Sequence, residues 1–151
     1  MFTGIIEKIG KITHVTKNDI SQKIGIRIND FKSSPGDSIC INGVCLTVED
    51  VDDNVYSFSI SPETYKLTNF KNIKKDDDVN IEKSLTINKL LSGHIVQGHV
   101  DICSKITELK KIDNSWYVKI KIDSTYMKYI IQKGSITIDG VSLTINEVYT
   151  D

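Results

Sequence analysis

No stretch of this 151-residue chain approaches the ~18 consecutive apolar residues that a membrane span needs. Its start, Met1-Phe2-Thr3-Gly4-Ile5-Ile6-Glu7, lacks the basic residues and long apolar core of a secretory signal. Cysteine is scarce. Cys40, Cys45 and Cys103 make an odd count, and without a secretory signal that argues against a disulfide framework. None stands in Cys-x-x-Cys or Cys/His spacing, so the usual zinc sites are excluded and no metal is expected. An excess of one charge is missing too: 19 basic against 20 acidic residues leave a net charge of −1. No basic stripe suits nucleic acid, and no acidic tail suits a solvating role. The cytoplasm is the default compartment for such a chain. Helix signals are also few.

What the chain has instead is a repetition. Ser38-Ile39-Cys40-Ile41-Asn42-Gly43-Val44-Cys45-Leu46-Thr47-Val48 returns 97 positions later as Ser135-Ile136-Thr137-Ile138-Asp139-Gly140-Val141-Ser142-Leu143-Thr144-Ile145. Seven of the eleven pairs are identical, where chance would give about one. Upstream, Gly4, Lys11 and Ile12 recur as Gly98, Lys105 and Ile106, at a spacing of 94. Two copies of one unit imply two similar pockets, suited to a reaction between two similar molecules.

The dominant pattern is strand. Ile24–Ile28, Tyr56–Ile60 and Trp116–Ile122 alternate with period two. Asn42-Gly43 and Asp139-Gly140 are tight-turn signals. Many short strands with little helix indicate a small barrel or sandwich. Ser61-Pro62-Glu63-Thr64 reads as a helix N-terminus with the helix running to about Phe70. Ser124–Lys133 is a second helical candidate, capped by Ser124. Lys71–Asp78 is a solvated charge run, and 84–92 is the natural linker. The first copy is expected over residues 1–88, with a last strand near Asp78–Lys83. The second is expected over 89–151 and to be incomplete, because the counterparts of Tyr56–Ile60, the Ser61–Phe70 helix and the last strand would fall beyond Asp151. A barrel short of two strands has an open edge, so the chain reads as a fragment, a natural shortening, or half of something another chain completes.

Alternation sorts the repeated motif. Val44, Leu46 and Val48 share one face, and Cys45 and Thr47 share the other. Ser142 and Thr144 take the matching face in the second copy. A polar pair repeated beside a tight turn reads as a ligand contact. Gly93-His94-Ile95-Val96-Gln97-Gly98-His99-Val100-Asp101 holds two of the three histidines, which alternation places on opposite faces unless Gly98 interrupts the strand. His14 has no motif around it and reads as a surface residue.

These segments, together with Met1–Glu7, Asn42–Val48 and Ile138–Thr144, resemble the signature segments of the riboflavin synthase family, alpha-chain type, in the same order and over essentially the whole chain. The resemblance implies an all-β fold: two tandem six-stranded Greek-key barrels with short helices, the second incomplete here. It implies a homotrimer, with the C-terminal helix that helps hold the trimer absent from this chain. It also implies a reaction without metal or organic cofactor. Two molecules of 6,7-dimethyl-8-ribityllumazine dismutate by four-carbon transfer to riboflavin and 5-amino-6-ribitylaminouracil. The implied ligand contacts are Gly4, Ile5, Ile6, Cys45, Leu46, Thr47, Ser59, Ile60, Ser61, Pro62, Glu63 and Thr64 in the first copy. In the second they are Gly98, His99, Val100, Lys133, Ser142, Leu143 and Thr144. Catalytic roles fall to Cys45, Ser38, His94, His99 and Ser142, with Phe2 and Asp139 in support. The nucleophile that adds to the lumazine ring is water, a ribityl hydroxyl or the Cys45 thiol. A second reading is a lumazine- or flavin-binding protein without turnover, built on the same repeats. A third is a scaffold with no ligand.

Overall fold

The computed structural model describes residues 1–17 and 22–149. The first copy supplies β1 (Lys8–Lys17), β2 (Gln22–Arg27), β3 (Ser38–Ile41), β4 (Val44–Thr47), β5 (Asp50–Asp52), β6 (Val55–Ile60), the helix α1 (Pro62–Leu67) and β7 (Asp78–Lys83). These strands form one antiparallel sheet in the order β4-β3-β7-β1-β2-β6-β5. Its two edges, β4 and β5, are separated in the chain only by Val48 and Glu49. One bent segment therefore pairs with β3 through its first half and with β6 through its second, and the sheet curls into a six-stranded barrel. The Glu49 N–H donates to Ser57 O at 2.9 Å and carries the pairing across the bend.

The interior follows from the alternation. Ile12, Ile24, Ile26, Ile39, Ile41, Phe58, Ile60 and Ile81 are fully buried, and Val44, Leu46 and Val48 join them on the inward face of the bent segment. Each such side chain contributes about 1.5–3 kcal/mol by leaving water. Tyr56 seals one end, its hydroxyl donating to Phe31 O at 2.7 Å. Helix α1 starts as its sequence specifies: the Ser61 side chain accepts from the Thr64 N–H at 3.1 Å, with Pro62 in the first turn. It stops at Leu67, and a 3-10 turn, Asn69–Asn72, buries Phe70.

The second copy contributes two hairpins, β8 (Lys105–Ile112) with β9 (Ser115–Lys121) and β10 (Ser135–Ile138) with β11 (Val141–Thr144). They reproduce the first copy in detail. The register irregularity between Ile12 and His14 in β1 recurs between Ile106 and Glu108 in β8, 94 positions on. The Asn42-Gly43 turn (φ 47° and 84°) recurs as Asp139-Gly140 (φ 46° and 84°). The link from β9 to β10 is three residues longer than that from β2 to β3, which explains the change of offset from 94 to 97. The extra length lies in a 3-10 turn, Ser124–Tyr129. This corrects the expected helix over Ser124–Lys133. The cap is Asp123 rather than Ser124: its carboxylate accepts from the Thr125 N–H at 2.9 Å and the Thr125 hydroxyl at 2.7 Å. The chain leaves helical geometry at Ile130, which is extended (φ −97°, ψ 118°), and Lys133 takes φ +65° further on.

In the first copy β7 lies between β1 and β3; among the described residues the second copy has no such strand, and its hairpins form separate sheets. Ile106, Leu109 and Trp116 are consequently exposed, Trp116 by 62%. Among the described residues no helix is long and apolar enough to cross a membrane.

Candidate functional site

The two copies meet about an approximate two-fold axis. Phe2 and Val96 are repeat equivalents, and they pair with each other: Phe2 N–H donates to Val96 O at 2.8 Å and Val96 N–H to Phe2 O at 3.0 Å. Phe2, Val96 and Cys40 are buried there in a small cluster of their own, with Cys45 packed against it. The two tight turns also meet, and a Cβ on Gly43 would stand 2.9 Å from Gly140 N.

Each motif strand is completed by the other copy. The Cys45 N–H donates to Gly98 O at 2.8 Å, and the equivalent Ser142 N–H donates to Gly4 O at 2.7 Å. Only glycine fits this approach. Gly98 has φ +81°, and its Cβ would lie 2.8 Å from Cys45 Cβ; Gly4 has φ +77°, and its Cβ would lie 2.7 Å from Ser142 Cβ. The candidate residues therefore sort into two faces that the repeat boundary does not predict. On one, Cys45 pairs with Gly98, which is followed by His99 and Val100, with Thr47 on the same side of β4 as Cys45, and Val100 packs on the first barrel's core. On the other, Ser142 pairs with Gly4, which is followed by Ile5 and Ile6, with Thr144 on the same side of β11 as Ser142.

The outward side of β3 and β4 carries Ser38, Cys40, Cys45 and Thr47, with Ser38 opposite Thr47 and Cys40 opposite Cys45. The matching row on β10 and β11 is Ser135, Thr137, Ser142 and Thr144. His94 serves the second row. Its Nδ1 lies 2.7 Å from Ser142 Oγ and its Nε2 3.0 Å from Thr137 Oγ1, while its N–H donates to Thr3 O at 3.0 Å. The structure thus places the two histidines apart: His94 on the second copy's row, and exposed His99 just after Gly98 beside the first copy's row. His14 is exposed, its ring within 3.1 Å of the Thr13 hydroxyl.

Leu46 and Ile60 point into the barrel, so their main chain, not their side chains, borders the first face. Ser59 is half-buried on the outer side of β6, and its hydroxyl, followed by Lys23, holds the neighbouring Glu49 carboxyl below the usual carboxylate range. Ser61, Pro62 and Glu63 are exposed at the start of α1, with Thr64 half-buried. Lys133 is exposed at the turn into β10, where its N–H donates to Ile145 O at 2.7 Å as Gly36 does to Val48 O at 2.9 Å. Leu143 is 40% exposed.

Two contributors escaped the sequence reading. Thr137 is the repeat partner of Cys40, so the repeat itself held its signal. Glu82 is fully buried, and its carboxylate accepts from Thr3 N–H at 2.7 Å, Thr3 Oγ1 at 2.6 Å and Gly4 N–H at 3.0 Å. It fixes the segment that completes the second face.

Desolvation at the meeting of the turns raises the Asp139 carboxyl above its usual range. A folded-state value above the unfolded one means stability is fullest below the unfolded value and is lost as pH rises through the folded one. At neutral pH the charge is therefore a cost, screened in part by solvent. Asn42 occupies the equivalent place at nearly the same φ. Asp139→Asn is expected to raise the urea midpoint slightly at pH 7, with the gain gone below about pH 4, near the ordinary carboxylate value. Equal midpoint shifts at both pH values would show that the Asp139 charge is not the cause.

These features define a two-repeat β-barrel protein in which each repeat finishes the other's polar face. The chain belongs to the lumazine binding domain family, whose model matches residues 3–84 and 97–151. It is 40% identical over 147 residues to riboflavin synthase of Bacillus amyloliquefaciens, covering 96% of this chain and 68% of that protein. It is 41% identical over 152 residues to riboflavin synthase of Photobacterium leiognathi, covering 99% of this chain and 70% of that one. The fold is similar to the crystal structure of LumP complexed with riboflavin, with a TM-score of 0.90 and 27% identity over 100% of this chain and 83% of the other.

Proposed function

We propose that the chain binds 6,7-dimethyl-8-ribityllumazine on both faces and acts as a riboflavin synthase, moving a four-carbon unit from one lumazine to another. The observation that carries this is the reciprocal completion of two equivalent polar rows, Cys45 by Gly98 and Ser142 by Gly4. Equivalent faces related by a two-fold axis suit two copies of one heterocycle. Holding two reactants in attack geometry contributes roughly 7–11 kcal/mol of a barrier. We take 1–88 and 89–151 as the two repeats, and a homotrimer in the cytoplasm as the working assembly.

The chemistry falls to the rows. The C7 methyl of lumazine is acidic, and its proton passes through the Ser142 hydroxyl to His94, whose ring is held at both nitrogens. The Thr137 hydroxyl fixes the imidazole from its far side. Cys45, half-buried beside Gly98, adds in this reading to C7 of the partner ring or packs against it.

A second reading, a lumazine-binding protein without turnover, is favoured by two observations. The exposed second-copy hairpins leave that face less enclosed than the first. LumP, whose fold this chain shares, was crystallised with riboflavin and with 6,7-dimethyl-8-(1'-D-ribityl) lumazine. Incubation with 6,7-dimethyl-8-ribityllumazine separates the two. Riboflavin appearing in the absorbance supports the enzyme. Bound-lumazine fluorescence without riboflavin supports the binder. Neither signal would sink both.

A further inference from the structure

The dyad leaves one pair of groups that the proposed reaction does not use together. Cys40 and Cys45 are directly opposed on β3 and β4. In a hairpin with a two-residue turn at Asn42-Gly43, Ile41 and Val44 form the hydrogen-bonded pair, so Cys40 and Cys45 form a non-hydrogen-bonded one. The hydrogen bonds agree, since the Cys45 N–H is spent on Gly98 O, away from β3. Opposed residues of this kind have Cα atoms about 4.5 Å apart and side chains on one face. Disulfides form at Cα separations of about 4.4–6.8 Å. The repeat supplies independent support: Thr137 and Ser142, the equivalents of Cys40 and Cys45, both reach the single His94 ring. Both cysteines are free in this structure.

We propose that Cys40 and Cys45 are a modification site: a dithiol that closes to a cross-strand disulfide by exchange with a low-molecular-weight disulfide, withdrawing the Cys45 thiol from the ligand face. The withdrawal rests on the reading of Cys45 as a ligand-face residue; the closure does not. Cys45 is the entry thiol, because it is half-buried while Cys40 is 1% exposed. Burial, followed by the Glu82 carboxylate, pushes the Cys40 thiol up to about 12, so it reacts second and within the protein. In the first step the Cys45 sulfur attacks one sulfur of oxidised glutathione and expels one glutathione thiolate. In the second the Cys40 sulfur attacks the Cys45 sulfur and expels the other, and its proton leaves with that thiolate. Two protein thiols are oxidised, and one small disulfide is reduced to two thiols.

The test uses the full chain incubated with oxidised glutathione, then unfolded, alkylated and cleaved with trypsin. The peptide between Lys32 and Lys66 carries both cysteines. The expected result is a peptide two hydrogens lighter and resistant to alkylation, restored by dithiothreitol. In Cys40→Thr, which copies the second repeat, Cys45 should instead retain glutathione. A wild-type peptide with glutathione on Cys45 and an alkylated Cys40 overturns the proposal, as does a fully alkylated one. In the reduced protein, lumazine should slow alkylation of Cys45. No protection would remove Cys45 from the ligand face and with it the withdrawal, while the peptide mass still decides the closure.

Discussion

Replacing His94 by Gln is expected to lower lumazine turnover by about 10²–10⁴-fold, the usual contribution of a positioned proton-transfer group, while leaving bound-lumazine fluorescence in place. The geometry gives the reason. His94 Nδ1 is 2.7 Å from Ser142 Oγ, and its other nitrogen is 3.0 Å from Thr137 Oγ1. An imidazole held at both ends has its orientation fixed before substrate arrives. Glutamine can keep one of these hydrogen bonds but cannot carry the proton. Deuterium exchange at the lumazine C7 methyl isolates the step: the protein should accelerate exchange, and His94→Gln should not. This readout also serves if the chain binds without turnover. Unchanged exchange in the variant would remove His94 from proton transfer and leave it a positioning role under β10 and β11.

The second large effect is on stability. Phe2→Ala is expected to cost about 3–5 kcal/mol, because the ring is fully buried. The loss should fall on the junction of the repeats, since Phe2 packs with Cys40 and Val96 in a cluster separate from the barrel core. Hydrogen exchange should show it in place. The amides of His94, Val96 and Ser142, bound to Thr3, Phe2 and Gly4, should lose protection well before those of Ile24 or Ile26. Phe2→Leu, which refills most of the volume, should recover most of the loss. Uniform loss of protection across both repeats would mean that the junction and barrel unfold as one unit.

Periodicity revealed much of this and hid a definite remainder. Alternation in Val44–Val48 put three side chains inside and two outside, as observed, because a strand with one buried face must alternate. Ser61-Pro62 marked the start of α1, since a cap and a first-turn proline are local chemistry. Asp78–Lys83 was legible as β7 for the same reason as the other strands. The exchange of Gly4 and Gly98 between copies was not legible, because its hydrogen bonds join residues far apart in sequence and leave no local period. Alternation along β7 gives Glu82 an outward position, opposite to buried Val79 and Ile81. Only the Phe2–Gly4 segment lying over it makes it buried. The cap at Ser124 was misplaced because Asp123, one residue earlier, has the better acceptor and pairs with Thr125.

The mutual bond of Phe2 to Val96 has the form of an isologous contact, in which one patch meets its own equivalent, as in a homodimer with two-fold symmetry. Here both partners belong to one polypeptide, so the chain has the character of a symmetric dimer whose subunits have been joined. In a true homodimer every substitution appears twice. Joining removes that constraint. One half can keep Cys40, Asn42 and Cys45 while the other carries Thr137, Asp139 and Ser142 on the same backbone. A symmetric scaffold can then hold two identical molecules and treat them differently, one giving up what the other receives.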